Sequence, residues 1–521
     1  MFDIFVKDGR IIDGTGHPAY KANLGIQGDT LTILSENSTS PASNQVIDAN
    51  GCIVAPGFID MHSHSDLALL TEPTHIAKVS QGVTTEALGM DGLSYAPISQ
   101  EKLGSLIQYL VAVNGHAPPS VQWSSVKEFL DLFDNRTSCN IVYFVPHAAL
   151  RIEAMGWEAR PANSDELKKM QQLVEQGMRD GAFGFSTGLT YFPGTYSDTN
   201  ELIEITRKIR PYGGIYITHS RYYLGDQLLD PFKEAISIGE KAGVPVQLSH
   251  FHNPVDGMGE QMVKLINHGL NNGIDVSFDQ YPYPAASTLL LSLIPAWAHA
   301  GGPHALLDRI KTREIREEIK DNITPQWGGG GDFQDYIFSR LASEKNKEWE
   351  GRSILDMANS KRKNIVDTIC DLLIEESLDV AFVARTGNIE NISTILQHPS
   401  QMFGSDGLLT GGKPNPRSYG TFPYALGQLV REQKILSLED AVKKMSSIPA
   451  KRLGLKDRGV IENGMKADIV VFNPDTVRAM STFENPRQLP IGINHVLVNG
   501  RSVIHKGKHT GNLPGRSLRK N

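Results

Sequence analysis

The 521-residue chain has little cysteine: only Cys52, Cys139 and Cys370, far apart and with no CxxC pair. No disulfide framework follows from that, so a reducing compartment is expected. Basic charge is scarce as well. Fifty-one lysines and arginines stand against 58 acidic residues, for a net charge of -7 and a pI near 6.2. That balance argues against a nucleic-acid partner, which needs clustered positive charge. No apolar run approaches membrane-spanning length. The opening MFDIFVKDGRIIDG carries acidic residues and no long apolar core, which does not fit a secretory leader. Fixed-period repeats and low-complexity tails are absent too. The expectation is a mildly acidic cytoplasmic protein, large enough for more than one domain.

What is present divides into two textures. Near both ends, runs such as FDIFVKDGRIID and ADIVVFNP alternate apolar and polar residues between Asp-Gly and Asn-Gly turns. Neither end can close a core alone, so residues 1–54 and 456–521 are expected to pair into one small β-sandwich domain. The middle, residues 55–455, alternates short strands with helical segments. Strands are expected at 57–62, 84–89, 140–147, 182–188, 215–220, 244–250, 275–280 and 402–406. Segments such as SDELKKMQQLVEQGMRDG lie between them and end in Gly, as a helix C-cap does. Eight such units predict an α/β fold, the (β/α)8 or TIM-like barrel. The gap between strands seven and eight is too long for one helix. Residues from about 285 to 375 are therefore expected to form a helical insertion, with GGGG at 328–331 as a flexible tip.

In such a barrel, reactive groups sit at the C-terminal ends of the strands. There stand His62 and His64 in APGFIDMHSHSD, His219 after strand five, His250 after strand six and Asp406 after strand eight. One histidine at such a place is ordinary. Four histidines and an aspartate converging from four strands predict a metal centre, and nitrogen with carboxylate oxygen suits zinc before other divalent metals.

The words FGFSTGLTYFPGTYSDTNEL, GGIYITHSR, AGVPVQLSH, FDQYPYPAASTLL, FGSDG, PRSYGTFP and DRGVIENGMKADIVVFNPDT resemble the amidohydrolase superfamily. Within it they are similar to the N-acyl-D-amino-acid deacylases, and the likeness runs along essentially the whole chain. The resemblance implies that His62, His64 and Asp406 ligate one metal, that His219 and His250 ligate a second, and that Asp406 is the catalytic base. Where those relatives place a bridging cysteine in GNCG, this chain has GMDG, with Asp91 at that position. Asp91 is thus the expected bridge, for one or two zinc ions, or the cap of an Asp-Gly turn. Glu86 is a rival carboxylate, and strand four offers no lysine for a carbamate bridge.

The resemblance further implies a substrate bearing an α-carboxylate. Candidate contacts are Arg417, Tyr281, Tyr283, Ser287 and Tyr191, with His147 and Arg151 in PHAALR lining the same pocket. His252 stands where relatives often carry a lysine. The activity implied is hydrolysis of N-acyl-D-amino acids to a carboxylate and a free D-amino acid. A cyclic amidase, an isoaspartyl dipeptidase or a lactonase on the same scaffold remains the alternative, as does a non-catalytic relative. The partner expected is a small molecule, not nucleic acid or membrane, and the oligomeric state is open.

Overall fold

The computed structural model describes residues 1–38, 41–221, 228–323 and 332–520. The GGGG stretch at 328–331 lies outside the described residues. Strands from both ends of the chain join in one nine-stranded sheet. Its seam is Ile53–Pro56, which runs parallel to Phe2–Ile11 and antiparallel to Ile469–Phe472. Ile4, Val6, Leu24, Ile26, Ile469 and Leu497 fill a core of their own beneath it. The final residues leave this sheet. Ile141 N–H donates to Arg516 O and Leu518 N–H to Ile141 O, so the tail closes against the third barrel strand.

Eight parallel strands make the barrel: Phe58–Asp60, Val83–Leu88, Asn140–Pro146, Gly184–Gly188, Ile215–His219, Val246–Leu248, Val276–Gln280 and Gln401–Phe403. The first and last meet where Met61 N–H donates to Phe403 O at 3.2 Å and Ser63 bridges to Gly407, which closes the ring. Every residue of these strands is buried. Burial on both faces is why they run as continuous apolar or β-branched stretches without alternation. The helices between them follow ordinary capping chemistry. Asn163 accepts from the Asp165 and Glu166 amides to start Ser164–Arg179, and the helix Asp230–Ala242 stops at Gly243, in the left-handed region at φ 70°.

Ile59, Ala87, Val142, Phe144, Ile215, Ile217 and Met402 form a compact cluster contributed by the barrel strands. In the fifth strand Ile215, Ile217 and His219 share one side, because side chains two apart in a strand point the same way. The register that packs the barrel thus delivers His219 to its mouth. The insertion before the eighth strand carries helices, as expected, and also a three-stranded antiparallel sheet of Ala286–Leu289, Tyr336–Leu341 and Val380–Ala384. It therefore extends beyond residue 375. No helix among the described residues is long and apolar enough to cross a membrane.

Candidate metal centre

Six side chains meet at the C-terminal mouth of the barrel. His62 and His64 follow the first strand, Asp91 the second, His219 ends the fifth, His250 follows the sixth and Asp406 the eighth. One oxygen, Asp91 Oδ2, lies 3.4 Å from His62 Nε2, 3.5 Å from His64 Nε2, 3.6 Å from His219 Nδ1 and 3.5 Å from His250 Nε2. Asp406 Oδ1 lies 3.2 Å from His64 Nε2 and 3.7 Å from His62 Nε2. Two ligand sets result, His62–His64–Asp91–Asp406 and Asp91–His219–His250, and Asp91 belongs to both.

The sequence builds this geometry with local devices. Asp91 sits on a tight turn whose entry, Gly89, has φ 80° and packs so closely that a Cβ there would meet Phe144 O at 2.1 Å. A Cβ on Gly188 of strand four would lie 2.0 Å from Asp91 O, so this glycine lets the Asp91 turn rest on the barrel rim. Asp91, His250 and Asp406 themselves hold φ values of 53°, 33° and 46°. Non-glycine residues in that region are uncommon and gather where function fixes the backbone. Asp279, at the end of strand seven, accepts from His62 Nδ1 at 3.2 Å and from the His250 amide at 2.8 Å. A carboxylate behind an imidazole fixes its tautomer and turns the other nitrogen toward the metal position.

Charge in this cluster is arranged for a cation. Burial alone would lower the His62 imidazole, yet the carboxylates of Asp91, Asp279 and Asp406 hold its pKa well above the ordinary value. Burial opposes ionisation of Asp91, but His62 and His250 hold it well below the usual carboxylate range. Asp406 is likewise held low against burial, by Arg417 first and then His62. His219 goes the other way, pushed down by burial to about 4, and so stays a neutral donor. His62 Nε2 and Asp91 Oδ1 are buried and make no hydrogen bond within the protein. His219 Nδ1 and His250 Nε2 stand 2.8 Å apart, converging on one point. Orphaned ligand atoms, paired imidazole nitrogens and a shared carboxylate fit zinc in chemistry and in number.

A cavity opens over these groups, walled by Tyr191, His252, Tyr281, Ser287 and Thr288 on the polar side and Leu93, Val113 and Leu408 on the apolar side. Tyr281 Oη and His252 Nε2 are 3.2 Å apart, and Tyr191 Oη and Thr288 Oγ1 are 2.9 Å apart. Of the expected contacts, Tyr191, His252, Tyr281 and Ser287 thus reach the cavity. Four others do not line it. Arg417 is fully buried, donating from Nε to Asp406 O at 2.8 Å and pairing through Nη2 with Asp406 Oδ2 at 2.8 Å. Its Nη1 donates to Ala285 O at 3.2 Å, and Nη2, though paired by charge with Asp406, makes no hydrogen bond of good geometry. His147 and Arg151 both bind Glu201, His147 at 3.0 Å, in a buried cluster. Tyr283 packs on Tyr424 with ring centroids 4.8 Å apart. For Arg417, His147 and Arg151 a charged partner inside the protein meets the demand of burial, whereas Tyr283 Oη is buried without a hydrogen bond. Glu86, the rival bridge, points to His75 and Lys78 instead.

Sequence reasoning missed Asp279, Glu201 and Thr190, whose Oγ1 lies 2.6 Å from His219 Nε2. Asp279 carried a signal, a carboxylate at the end of strand seven in FDQYPYP. Glu201 and Thr190 carried none.

Known proteins resemble this chain along its length. The model of the amidohydrolase family matches residues 45–266 and 332–504. A D-aminoacylase of Alcaligenes xylosoxydans xylosoxydans is 32% identical over 99% of this chain and 97% of its own length. An N-acyl-D-glutamate deacylase of the same organism is 33% identical over 99% of this chain and 96% of its own. The crystal structure of N-acyl-D-glutamate deacylase from Bordetella bronchiseptica, complexed with zinc and a phosphonate mimic of the reaction's tetrahedral intermediate, superposes with a TM-score of 0.83. It is 29% identical and covers 99% of both chains. With a matched family model over most of its length and relatives aligned from end to end, this chain belongs to the amidohydrolase family.

Proposed function

We propose that the protein hydrolyses the amide bond of N-acyl-D-amino acids, with zinc as its metal, releasing a carboxylate and a free D-amino acid. The observation that carries this reading is the position of Asp91 Oδ2, 3.4 to 3.6 Å from four imidazole nitrogens with Asp406 alongside. His62, His64 and Asp406 would hold one zinc, His219 and His250 a second, and Asp91 both. Bound zinc supplies Lewis acidity and makes water nucleophilic near neutral pH.

Asp406 does the proton work. Arg417 grips its Oδ2, leaving Oδ1 toward the metal ligands, and keeps the carboxylate ionised. Oδ1 takes the proton of the attacking water and returns it to the departing amine nitrogen, which leaves poorly as an anion. Tyr281, Ser287, Tyr191 and His252 form the polar edge that orients the substrate, and Leu93, Val113 and Leu408 exclude water from the other side. Three buried free cysteines support a cytoplasmic setting. Stripping the protein with a chelator should abolish amine release from N-acetyl-D-amino acids, and zinc should restore it. Full activity after exhaustive stripping would contradict the reading.

A further inference from the structure

Beneath the metal centre lies a buried charge cluster that the chemistry above does not use. Lys78, on the short helix Ile76–Val79, is fully buried. Its Nζ donates to Asp60 Oδ2 at 2.7 Å and to Ser405 Oγ at 2.5 Å, and it stands 3.1 Å from Glu86 Oε1. Each of those partners reaches a turn that bears metal ligands. Asp60 Oδ1 accepts the amides of Ser405 at 2.8 Å and His62 at 3.2 Å. Glu86 Oε1 accepts from Ser63 Oγ at 3.0 Å, between His62 and His64. The Asp406 amide, next to Ser405, donates to His62 O at 2.8 Å. One ammonium therefore ties the His62–His64 turn to the Asp406 turn across the barrel's closing seam.

His75, Glu86 and Cys139 also cluster with ligand atoms within 4.8 Å of one another. A cation already serves that carboxylate: Glu86 holds His75 at 2.6 Å on one oxygen and the Lys78 ammonium on the other. The group is part of the same support.

We propose that Lys78 is a positioning residue for the metal centre. By holding Asp60, Glu86 and Ser405 at once, it sets the separation between His62, His64 and Asp406, and with it the zinc affinity of that ligand set and the aim of Asp406. Burying an ammonium with two carboxylates is a poor way to gain stability, because desolvation offsets the attraction. Fixing the relative placement of two loops is a use that such a network serves well. The inference rests on the proposed zinc hydrolase reading.

The test is zinc binding by chelator-stripped protein, in competition with a fluorescent chelator, for the wild type, Lys78→Gln and Lys78→Arg. Outer partners of metal ligands typically govern about 10–100-fold in affinity or rate. Lys78→Gln should weaken one zinc site by about that factor, leave the other unchanged, and lower kcat more than it raises KM; Lys78→Arg should recover part of both. Ser405→Ala, which removes the hydroxyl that joins the ammonium and Asp60 to the His62 and Asp406 turns, should weaken the same site and carries the test should Lys78→Gln not fold. Unchanged zinc affinity and kcat in a folded Lys78→Gln, or in Ser405→Ala, would overturn the proposal. Failure of the wild type to bind zinc would instead overturn the reading on which it rests.

Discussion

The guanidinium of Arg417 pairs through Nη2 with Asp406 Oδ2 at 2.8 Å, while its Cζ stacks 4.1 Å from the centre of the Tyr281 ring. An arginine that sequence assigns to the substrate is thereby fastened to the residue proposed as base. Asp406→Asn should leave the fold intact and lower kcat by about 10²–10⁴, the range for a lost acid–base group. Near-normal turnover, measured alongside an unchanged circular dichroism spectrum, would remove Asp406 from proton transfer.

Arg417→Lys should act mainly on kcat. Lysine keeps a charge but has no planar fork to hold Asp406 through Oδ2 and the backbone at once. Steady-state kinetics separate the cases: a fall in kcat fits an anchor of the base, whereas a rise in KM alone would return Arg417 to the substrate.

Asp91 is the residue on which the metal count depends. Asp91→Ala should lower zinc content, measured by atomic absorption, because the shared carboxylate of both ligand sets is gone. Asp91→Cys should retain zinc, since thiolate is a softer ligand that zinc accepts readily. Full zinc content in Asp91→Ala would make Asp91 a turn residue only.

Asp279 should matter without touching a metal. Asp279→Asn weakens the acceptor behind His62 Nδ1, and about 10–100-fold lower zinc affinity is expected. Equal affinity by calorimetry would count against that support.

Glu201 supplies a stability prediction away from the site. Buried with His147 and Arg151, its carboxyl is held at about 2 against an ordinary 4.5, burial opposing the two basic partners. A depressed folded pKa contributes stability above the unfolded value and loses it as pH falls toward the folded one. Glu201→Gln should cost about 3–5 kcal/mol near neutrality, as breaking a buried pair does. In denaturant titrations the gap to wild type should be complete above about pH 4.5 and narrow toward pH 2. A gap that widens on acidification would reverse the assignment.

The barrel was legible because its signals are local. Buried strands read as apolar runs, glycines such as Gly243 mark helix ends, and His62, His64, His219, His250 and Asp406 recur at strand ends. Partnership was not legible. Arg417, His147, Arg151 and Tyr283 have the right chemistry for a carboxylate-binding cavity, and three-dimensional packing gave the first three a charged partner within the protein and stacked the Tyr283 ring on Tyr424. Nothing in sequence separates Asp91 as a bridge from Asp91 as a turn cap. It occupies a tight left-handed turn and also faces four imidazoles, so its place in the turn does not compete with the proposed bridging role. The sheet inside the insertion was hidden because its strands lie some forty residues apart, from Ala286 to Val380.

The central claim is amide hydrolysis of N-acyl-D-amino acids, and its most direct measurement is free-amine release by zinc-supplemented protein from paired N-acetyl-D- and N-acetyl-L-amino acids. Release from the D-isomers alone is the predicted result. No release from either isomer by protein with zinc bound would contradict it.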